Sequence, residues 1–312
     1  MEKRKIGGLE VSLVGLGCNN FGQRLDQART SEVVHAALEV GVDFFDTADI
    51  YGGTASETFL GKALGSRRSS VIVATKFGIP LDEQRKGGAR PEYIGRAVEG
   101  SLKRLGTDYI DLYQLHRPDP DVPVADTLGA LGELVRQGKV REIGCSNFSV
   151  AQLHEASRAV RPGAAGFVSV QNEYSLLERA PERGVLGASR ELGAGFLPYF
   201  PLASGLLSGK YGAGQPAPEG TRLGAPESPL RARFLSDERV ARAQALSAFA
   251  ERHQHTLLKL AFSWLAARPE VSSVIAGATS PEQVRANTRA VGWRLSADEL
   301  REVDRLAPLA PA

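Results

Sequence analysis

Short apolar runs alternate with helical stretches along nearly the whole chain, and this alternation restricts the fold more than any other feature of the sequence. Strands separated by a helix join through right-handed crossovers and lie parallel in one sheet. Strands are expected at residues 11–17, 42–46, 71–76, 110–116, 140–145, 167–170, 195–199 and 271–276. Helices are expected between them at 30–40, 56–64, 91–105, 125–137, 151–159 and 183–191, with two more at 238–252 and 256–267 before the last strand. Thr30 or Ser31 can cap the first helix, Gly41 can stop it, and Pro91 suits the first turn of the third. Residues 4–12 alternate around Gly7-Gly8 and read as a hairpin. After the last strand, Ser280-Pro281-Glu282 starts one further helix, and Ser296 with Glu299 has the spacing of a capping box for another. The order alone suits an open sheet or a closed barrel. The strand count favours an α/β fold of the (β/α)8 TIM barrel type, with an N-terminal β-hairpin, a long loop after strand 7 and extra C-terminal helices. Composition does not change along the chain, so residues 1–312 are expected to form a single barrel domain.

Hydrophobic residues make up 42% of the 312, enough for a sizeable core, and the net charge of +2 gives no strong field for nucleic acid or a membrane surface. Lys3-Arg4-Lys5 precedes an apolar run that is broken by Gly7, Gly8 and Glu10, and no segment is long and apolar enough to span a bilayer. A cytoplasmic protein without nucleic-acid or membrane partners is expected; no sequence feature assigns an oligomeric state. Cys18 and Cys145 match no metal spacing and read as small buried side chains. His253 and His255 lack further ligands, so no metal site is expected. Trp264 reads as core and Trp293 as packing near the C-terminal helix. Gly15-Leu16-Gly17 lacks the third glycine of a dinucleotide-binding loop, and reads as a tight turn that allows close approach. The stretch 203–236 is rich in charge, Gly and Pro (Gly212, Gly214, Pro216, Pro218, Gly220, Pro226, Pro229). It is too long for a passive connector and is expected to act as a lid.

Reactive side chains stand at the ends of three successive strands. Residues 42–46 end in Asp46 with Tyr51 five residues on, 71–75 run into Lys76, and 110–115 run into His116. The carboxyl ends of parallel strands lie on one face, where such folds carry their chemistry. A free tyrosine has a pKa near ~10, and an adjacent ammonium lowers it. A carboxylate beside the lysine holds that ammonium charged. The set suits carbonyl reduction, in which Tyr51 protonates the oxygen and His116 helps to meet its developing charge. Arg117, beside His116, reads as positional rather than catalytic.

The motifs Asp46-Thr47-Ala48-Asp49-Ile50-Tyr51, Ala74-Thr75-Lys76-Phe77-Gly78 and Gln114-Leu115-His116-Arg117-Pro118-Asp119 resemble those of the aldo-keto reductase superfamily. So do Gly144-Cys145-Ser146-Asn147-Phe148, Val170-Gln171-Asn172-Glu173-Tyr174-Ser175 and Leu206-Leu207-Ser208-Gly209-Lys210-Tyr211, in family order over nearly the whole chain. The resemblance implies a barrel that binds NADP(H), with NAD(H) as the alternative, and a small-molecule carbonyl or alcohol substrate. It implies Tyr51 as general acid, tuned by Asp46 and Lys76, with His116 placing the carbonyl. By the same resemblance Ser146, Asn147 and Gln171 bond the nicotinamide carboxamide and Tyr199 stacks on its ring. Leu202, Gly205 and Lys210 follow the pyrophosphate, joined by Arg222 across the lid. Gly277, Thr279, Gln283 and Asn287 resemble the adenosine end. The chain departs from the family at Ala276, Ala286 and Thr279, while nearby basic groups, Arg285 among them, favour NADP.

Two other classes are weighed. Potassium-channel beta subunits share the barrel and many motifs as cofactor-binding regulatory subunits, and the lack of a long extra N-terminal segment here points to a plain enzyme. A Schiff-base aldolase needs a neutral lysine, whereas Asp46 would keep Lys76 charged. The loops around Asn19-Asn20-Phe21, 77–90 and 203–236 are expected to shape the substrate pocket.

Overall fold

The computed structural model describes residues 1–80, 82, 87–211, 217–224 and 228–310. Strands β1 (Lys3–Ile6) and β2 (Leu9–Ser12) pair antiparallel as the expected hairpin. The parallel strands follow as β3 (Val14–Gly17), β4 (Phe44–Asp46), β5 (Ile72–Phe77), β6 (Ile110–Leu115), β7 (Val140–Ser146), β8 (Phe167–Glu173), β9 (Gly195–Tyr199) and β10 (Val274–Gly277). They pair in chain order from β3 to β9, and β10 pairs back onto β3. The last gap is closed by backbone: the Phe196 N–H donates to the Glu270 carbonyl (2.8 Å) and the Ser272 N–H to the Phe196 carbonyl (2.9 Å). The fold is therefore the eight-stranded α/β barrel that the sequence implies.

The strands are short and apolar because both of their faces are covered. Every residue of β3, β4 and β6 is buried. The helices are amphipathic where they meet the sheet. In Pro91–Leu105, the residues Ile94, Val98, Leu102 and Leu105 form the buried stripe, with Pro91 in the first turn and Gly106 closing the end at φ 65°. Ser296 and Glu299 form the expected capping box for Ala297–Leu306. Trp264 is fully buried, and Trp293 packs on Phe249 beside His253 and His255.

The hairpin lies across the amino-terminal ends of the strands. Ile6, Leu9 and Val11 join Phe44, Ala74, Leu112, Leu197 and Ile275 in a core cluster inside the barrel. Arg4 locks the hairpin by donating to the carbonyls of Val271 (2.6 Å), Ala266 (2.7 Å) and Arg268 (3.1 Å). With that end stoppered, a ligand can enter only from the carboxyl ends.

Three local expectations are corrected. Residues 11–17 are not one strand. Ser12, fixed by Asp43 Oδ1 (2.7 Å), ends the hairpin, and Val14 starts the barrel. Gly15 and Gly17 are not in a turn but in β3, where a Cβ on Gly15 would fall 2.9 Å from Phe44 and from Ser273 Oγ. The first helix is Gln27–Glu39, capped by Asp26 rather than by Thr30 or Ser31. The stretch 203–236 contains a 3₁₀ segment, Ala203–Ser208, and a short helix, Pro229–Phe234. Gly212, Gly214, Pro216 and Pro226 of that stretch lie outside the described residues.

Gly61 tests the outer packing. A Cβ there would sit 2.2 Å from the Leu105 carbonyl oxygen, at the end of the neighbouring helix. Gly61→Ala should therefore destabilise the fold by about 1–3 kcal/mol in urea unfolding, despite alanine's better helix propensity. Unchanged or increased stability would show that the two helices do not meet this closely.

Candidate active site

Asp46 ends β4, and Lys76 is the penultimate residue of β5, so register brings them together inside the barrel. Lys76 Nζ donates to Asp46 Oδ2 (2.7 Å) and to the Thr47 carbonyl (2.8 Å). Asp46 Oδ1 accepts from Gln171 Nε2 (2.9 Å) and, at longer range, from Gln114 Nε2 (3.4 Å). Lys76 is 0% exposed and Asp46 4%. Burial opposes the lysine's charge, but Asp46 and Tyr51 outweigh it and hold its pKa above the ordinary value.

Tyr51 follows β4 at a sharp turn, Tyr51–Thr54. Gly52 and Gly53 there have φ of 58° and 63°, and a Cβ on Gly52 would lie 2.3 Å from the Phe21 carbonyl oxygen. The turn puts the tyrosine ring over Lys76, whose Nζ is 5.2 Å from the ring centroid. Burial raises the phenol's pKa, while the Lys76 charge and hydrogen bond pull it down. The His116 ring stands edge-on to Tyr51 at 5.9 Å. Burial first, then the charges of Lys76 and Arg117, push its pKa down to about 2, so the imidazole is neutral. Its Nδ1 is buried and has no partner among the described residues.

These groups stand at a cavity of about 790 Å³ at the carboxyl ends of the strands. Asp46, Tyr51 and His116 line it, and Lys76 lies just behind them. Ser146, Asn147, Gln171 and Tyr199 line it next and are bonded to one another. Ser146 Oγ donates to the Gln171 carbonyl (2.7 Å). Asn147, held at φ 64°, donates to the His116 carbonyl (2.9 Å) and to Ser146 Oγ (3.1 Å). The Tyr199 hydroxyl donates to Asn147 Oδ1 (2.8 Å), and burial raises its pKa to about 12.

Leu202, Gly205, Lys210 and Arg222 line the cavity further along. Between them Ser204, at φ 57°, points a buried Oγ that has no partner among the described residues. Arg222 donates to Asn20 Oδ1 (2.6 Å) and Asn19 Oδ1 (3.3 Å), and Arg24 donates to the Gly220 carbonyl (2.5 Å). The long loop is thereby tied across the cavity to the first loop of the barrel. Desolvation and mutual repulsion with Arg24 lower the pKa of both Lys210 and Arg222. Gly277, Thr279, Gln283 and Asn287 complete the lining; Gln283 Oε1 accepts from the Thr279 N–H (2.9 Å), and Asn287 is buried.

All sixteen residues singled out by sequence therefore meet in one place. Sequence reasoning did not find the supporting parts. Gln114 reaches Asp46 only through register, and Arg24 reaches Gly220 only through the fold. Asp49 is 1% exposed, and burial and the Glu57 charge raise it to about 7. Glu57 is itself held by Arg104 and Thr75 Oγ1, each at 2.6 Å. Arg285 pairs with Glu39 (3.1 Å) and does not line the cavity. The available signal was Asp49 itself, a second acid inside the Asp46–Tyr51 motif.

The profile of the Aldo/keto reductase family matches residues 13–308. The chain is 36% identical over 315 residues to "Probable aldo-keto reductase 1" of Glycine max, covering 98% of this chain and 88% of that protein. It is 35% identical over 300 residues to "Probable voltage-gated potassium channel subunit beta" of Oryza sativa subsp. japonica, covering 93% and 91%. Among solved structures, "aldo-keto reductase AKR11C1 from Bacillus halodurans (holo form)" superposes with a TM-score of 0.83 at 34% identity, over 99% of this chain and 97% of that one.

The ion pair makes a prediction that is independent of activity. Lys76→Met leaves a buried carboxylate without its cation and should cost about 3–5 kcal/mol of stability in urea unfolding. Adding Asp46→Asn should recover most of that loss. A double variant as unstable as Lys76→Met alone would rule out the pairing as the cause.

Proposed function

The chain belongs to the aldo/keto reductase family, and from that premise we propose that it is an NADP-dependent oxidoreductase. Its substrate is an aldehyde, ketone or sugar-like carbonyl, or the corresponding alcohol in the reverse direction. One observation carries the reading: a phenol, an ammonium–carboxylate pair and a neutral imidazole meet at one end of a long cavity whose other end is cationic.

The lining suits a nicotinamide dinucleotide. Ser146, Asn147 and Gln171 offer amide and hydroxyl groups where a carboxamide would sit, beside the flat ring of Tyr199. Lys210 and Arg222 are like charges held together near the orphaned hydroxyl of Ser204, an arrangement that an anion relieves. Gly277, Thr279, Gln283 and Asn287 would hold the adenosine end. When bound, the dinucleotide supplies or takes the hydride.

The protein's own residues handle the proton. With a pKa of about 2, His116 cannot be the acid at neutral pH, so Tyr51 is the proton donor for the carbonyl oxygen. His116 acts as a neutral hydrogen-bond partner that orients that oxygen. Lys76 favours the phenolate that remains, and Asp46 keeps Lys76 charged. Lys210 and Arg222 would meet the pyrophosphate, which NADP(H) and NAD(H) share, and Arg285 is committed to Glu39, so the choice of NADP(H) rests on the family resemblance. We read the chain as a single domain. Among the described residues no helix is long and apolar enough to cross a membrane, and a cytoplasmic site of action is part of the proposal.

The similarity to a rice channel beta subunit supports a second reading, a cofactor-binding regulatory subunit. The intact constellation around Tyr51 fits both readings, and turnover of simple aldehydes separates the two.

Tyr51→Phe should lower turnover by roughly 10²–10⁴-fold while NADPH binding, followed by protein fluorescence, is retained. Undiminished turnover would refute the role of Tyr51. Fluorescence titration should also give tighter binding of NADPH than of NADH; the reverse order would assign NAD(H).

The pH profile gives a separate check. The raised Tyr51 pKa keeps the acid form present through neutral pH, so loss of that proton should lower kcat/KM for reduction on the alkaline side. His116 should contribute no step in the ordinary histidine range, where Asp49, with a pKa raised to about 7, is the other group that titrates. Such a step, lost in His116→Gln, would mean that a titrating His116 acts in the reaction.

A further inference from the structure

The cavity carries positive charge at two separate places, and the reading above uses only one of them. Lys210, Arg222 and Arg24 interact with one another at the far end. Arg117 stands at the reacting end, beside His116, and its charge is felt by His116 and Tyr199. The other cation near Tyr199, Arg233, is already paired with Glu173. Asp119, the acid nearest Arg117 in sequence, is occupied by the N–H groups of Ala89 (2.8 Å) and Asp121 (3.0 Å). Among the described residues Arg117 has no hydrogen-bond or ion-pair partner, and its side chain is exposed at the rim.

The backbone that carries it is nevertheless fixed. The backbone of the preceding His116 is held on both sides, by the Phe77 carbonyl (2.9 Å) and by Asn147 Nδ2 (2.9 Å). Pro118 restricts Arg117 itself to extended backbone. A guanidinium with five donors in a fixed fork is thus offered next to the group that would place the carbonyl. The neighbouring lining, Ile50, Ile79 and Phe200, is apolar and would receive the body of a substrate.

We propose that Arg117 is a specificity residue that binds an anionic group, a carboxylate or a phosphate, on the carbonyl substrate. Arginine meets either group in a bidentate, charge-assisted contact. The proposal rests on the oxidoreductase reading. It narrows the substrate to aldehydes or ketones that carry negative charge a short distance from the carbonyl.

The test compares matched pairs with NADPH: 4-carboxybenzaldehyde against methyl 4-formylbenzoate, and glyceraldehyde 3-phosphate against glyceraldehyde. The wild type should favour the anionic member of at least one pair by roughly tenfold or more in kcat/KM, mainly through KM. The pair that shows the preference identifies carboxylate or phosphate as the anion. Arg117→Met should bring that ratio close to one, Arg117→Lys should keep part of it, and added salt should weaken it in the wild type. Equal handling of both members by the wild type, or a ratio that survives in Arg117→Met, would overturn the proposal. An equal loss on both members in Arg117→Met would make the residue a positioning group and also overturn it. If the wild type turns over none of the four compounds, nor other simple aldehydes, the oxidoreductase reading itself fails and the proposal falls with it.

Discussion

A lysine and an aspartate held 2.7 Å apart, both almost wholly buried, set the terms for the rest of the structure. Removing both charges from water costs several kcal/mol for each ion, and pairing alone does not guarantee a return. The remaining capacity of the pair is taken up by the Thr47 carbonyl, Gln171 and Gln114. These groups come from β4, β5, β6 and β8, or from the residue just beyond β4. A slip of one residue in β5 would turn Lys76 to the opposite face and leave Asp46 alone. The ion pair and the barrel register are therefore one requirement, and the site is as rigid as the sheet that carries it.

Charge is graded along the cavity from that point. The paired ions lie at the base, the neutral imidazole and the phenol stand over them, and cations with no carboxylate partner among the described residues stand at both extremes. The same burial that empties His116 of its proton keeps Tyr51 protonated. Two groups with similar surroundings are thereby sorted into one that can only share a hydrogen bond and one that can give a proton.

The sequence made the barrel legible because its signals are short in range. An apolar run and the reactive residue at its end are neighbours in the chain, so Asp46, Lys76 and His116 could be placed without knowledge of the fold. Tyr51 was legible because the turn that presents it follows within the same motif. The misreadings share a cause as well. Residues 11–17 look like one strand, and only the contact of Ser12 with Asp43 divides them. Gly15-Leu16-Gly17 looks like a turn until Phe44 and Ser273 are seen to crowd it. Asp26 outcompeted Thr30 and Ser31 as a cap because it alone meets the first free amides of the helix. The ties between Arg222 and Asn20, and between Arg24 and Gly220, join residues distant in sequence and leave no local pattern.

The closure of the barrel has a consequence for how the molecule comes into being. β10 pairs with β3, and Arg4 grips the carbonyls of Ala266, Arg268 and Val271, so the two ends of the sequence are stitched together. On the ribosome, Val14 emerges long before Val274. Until the late strand arrives, β3 and β9 are open edges, the form in which a partly made sheet is most exposed to wrong partners. Helices and neighbouring strand pairs can form early, because each involves adjacent stretches of chain. The reactive face cannot. Its cavity has walls from β10 and the residues just after it, so a nascent chain carries Asp46, Tyr51, Lys76 and His116 well before it has a site.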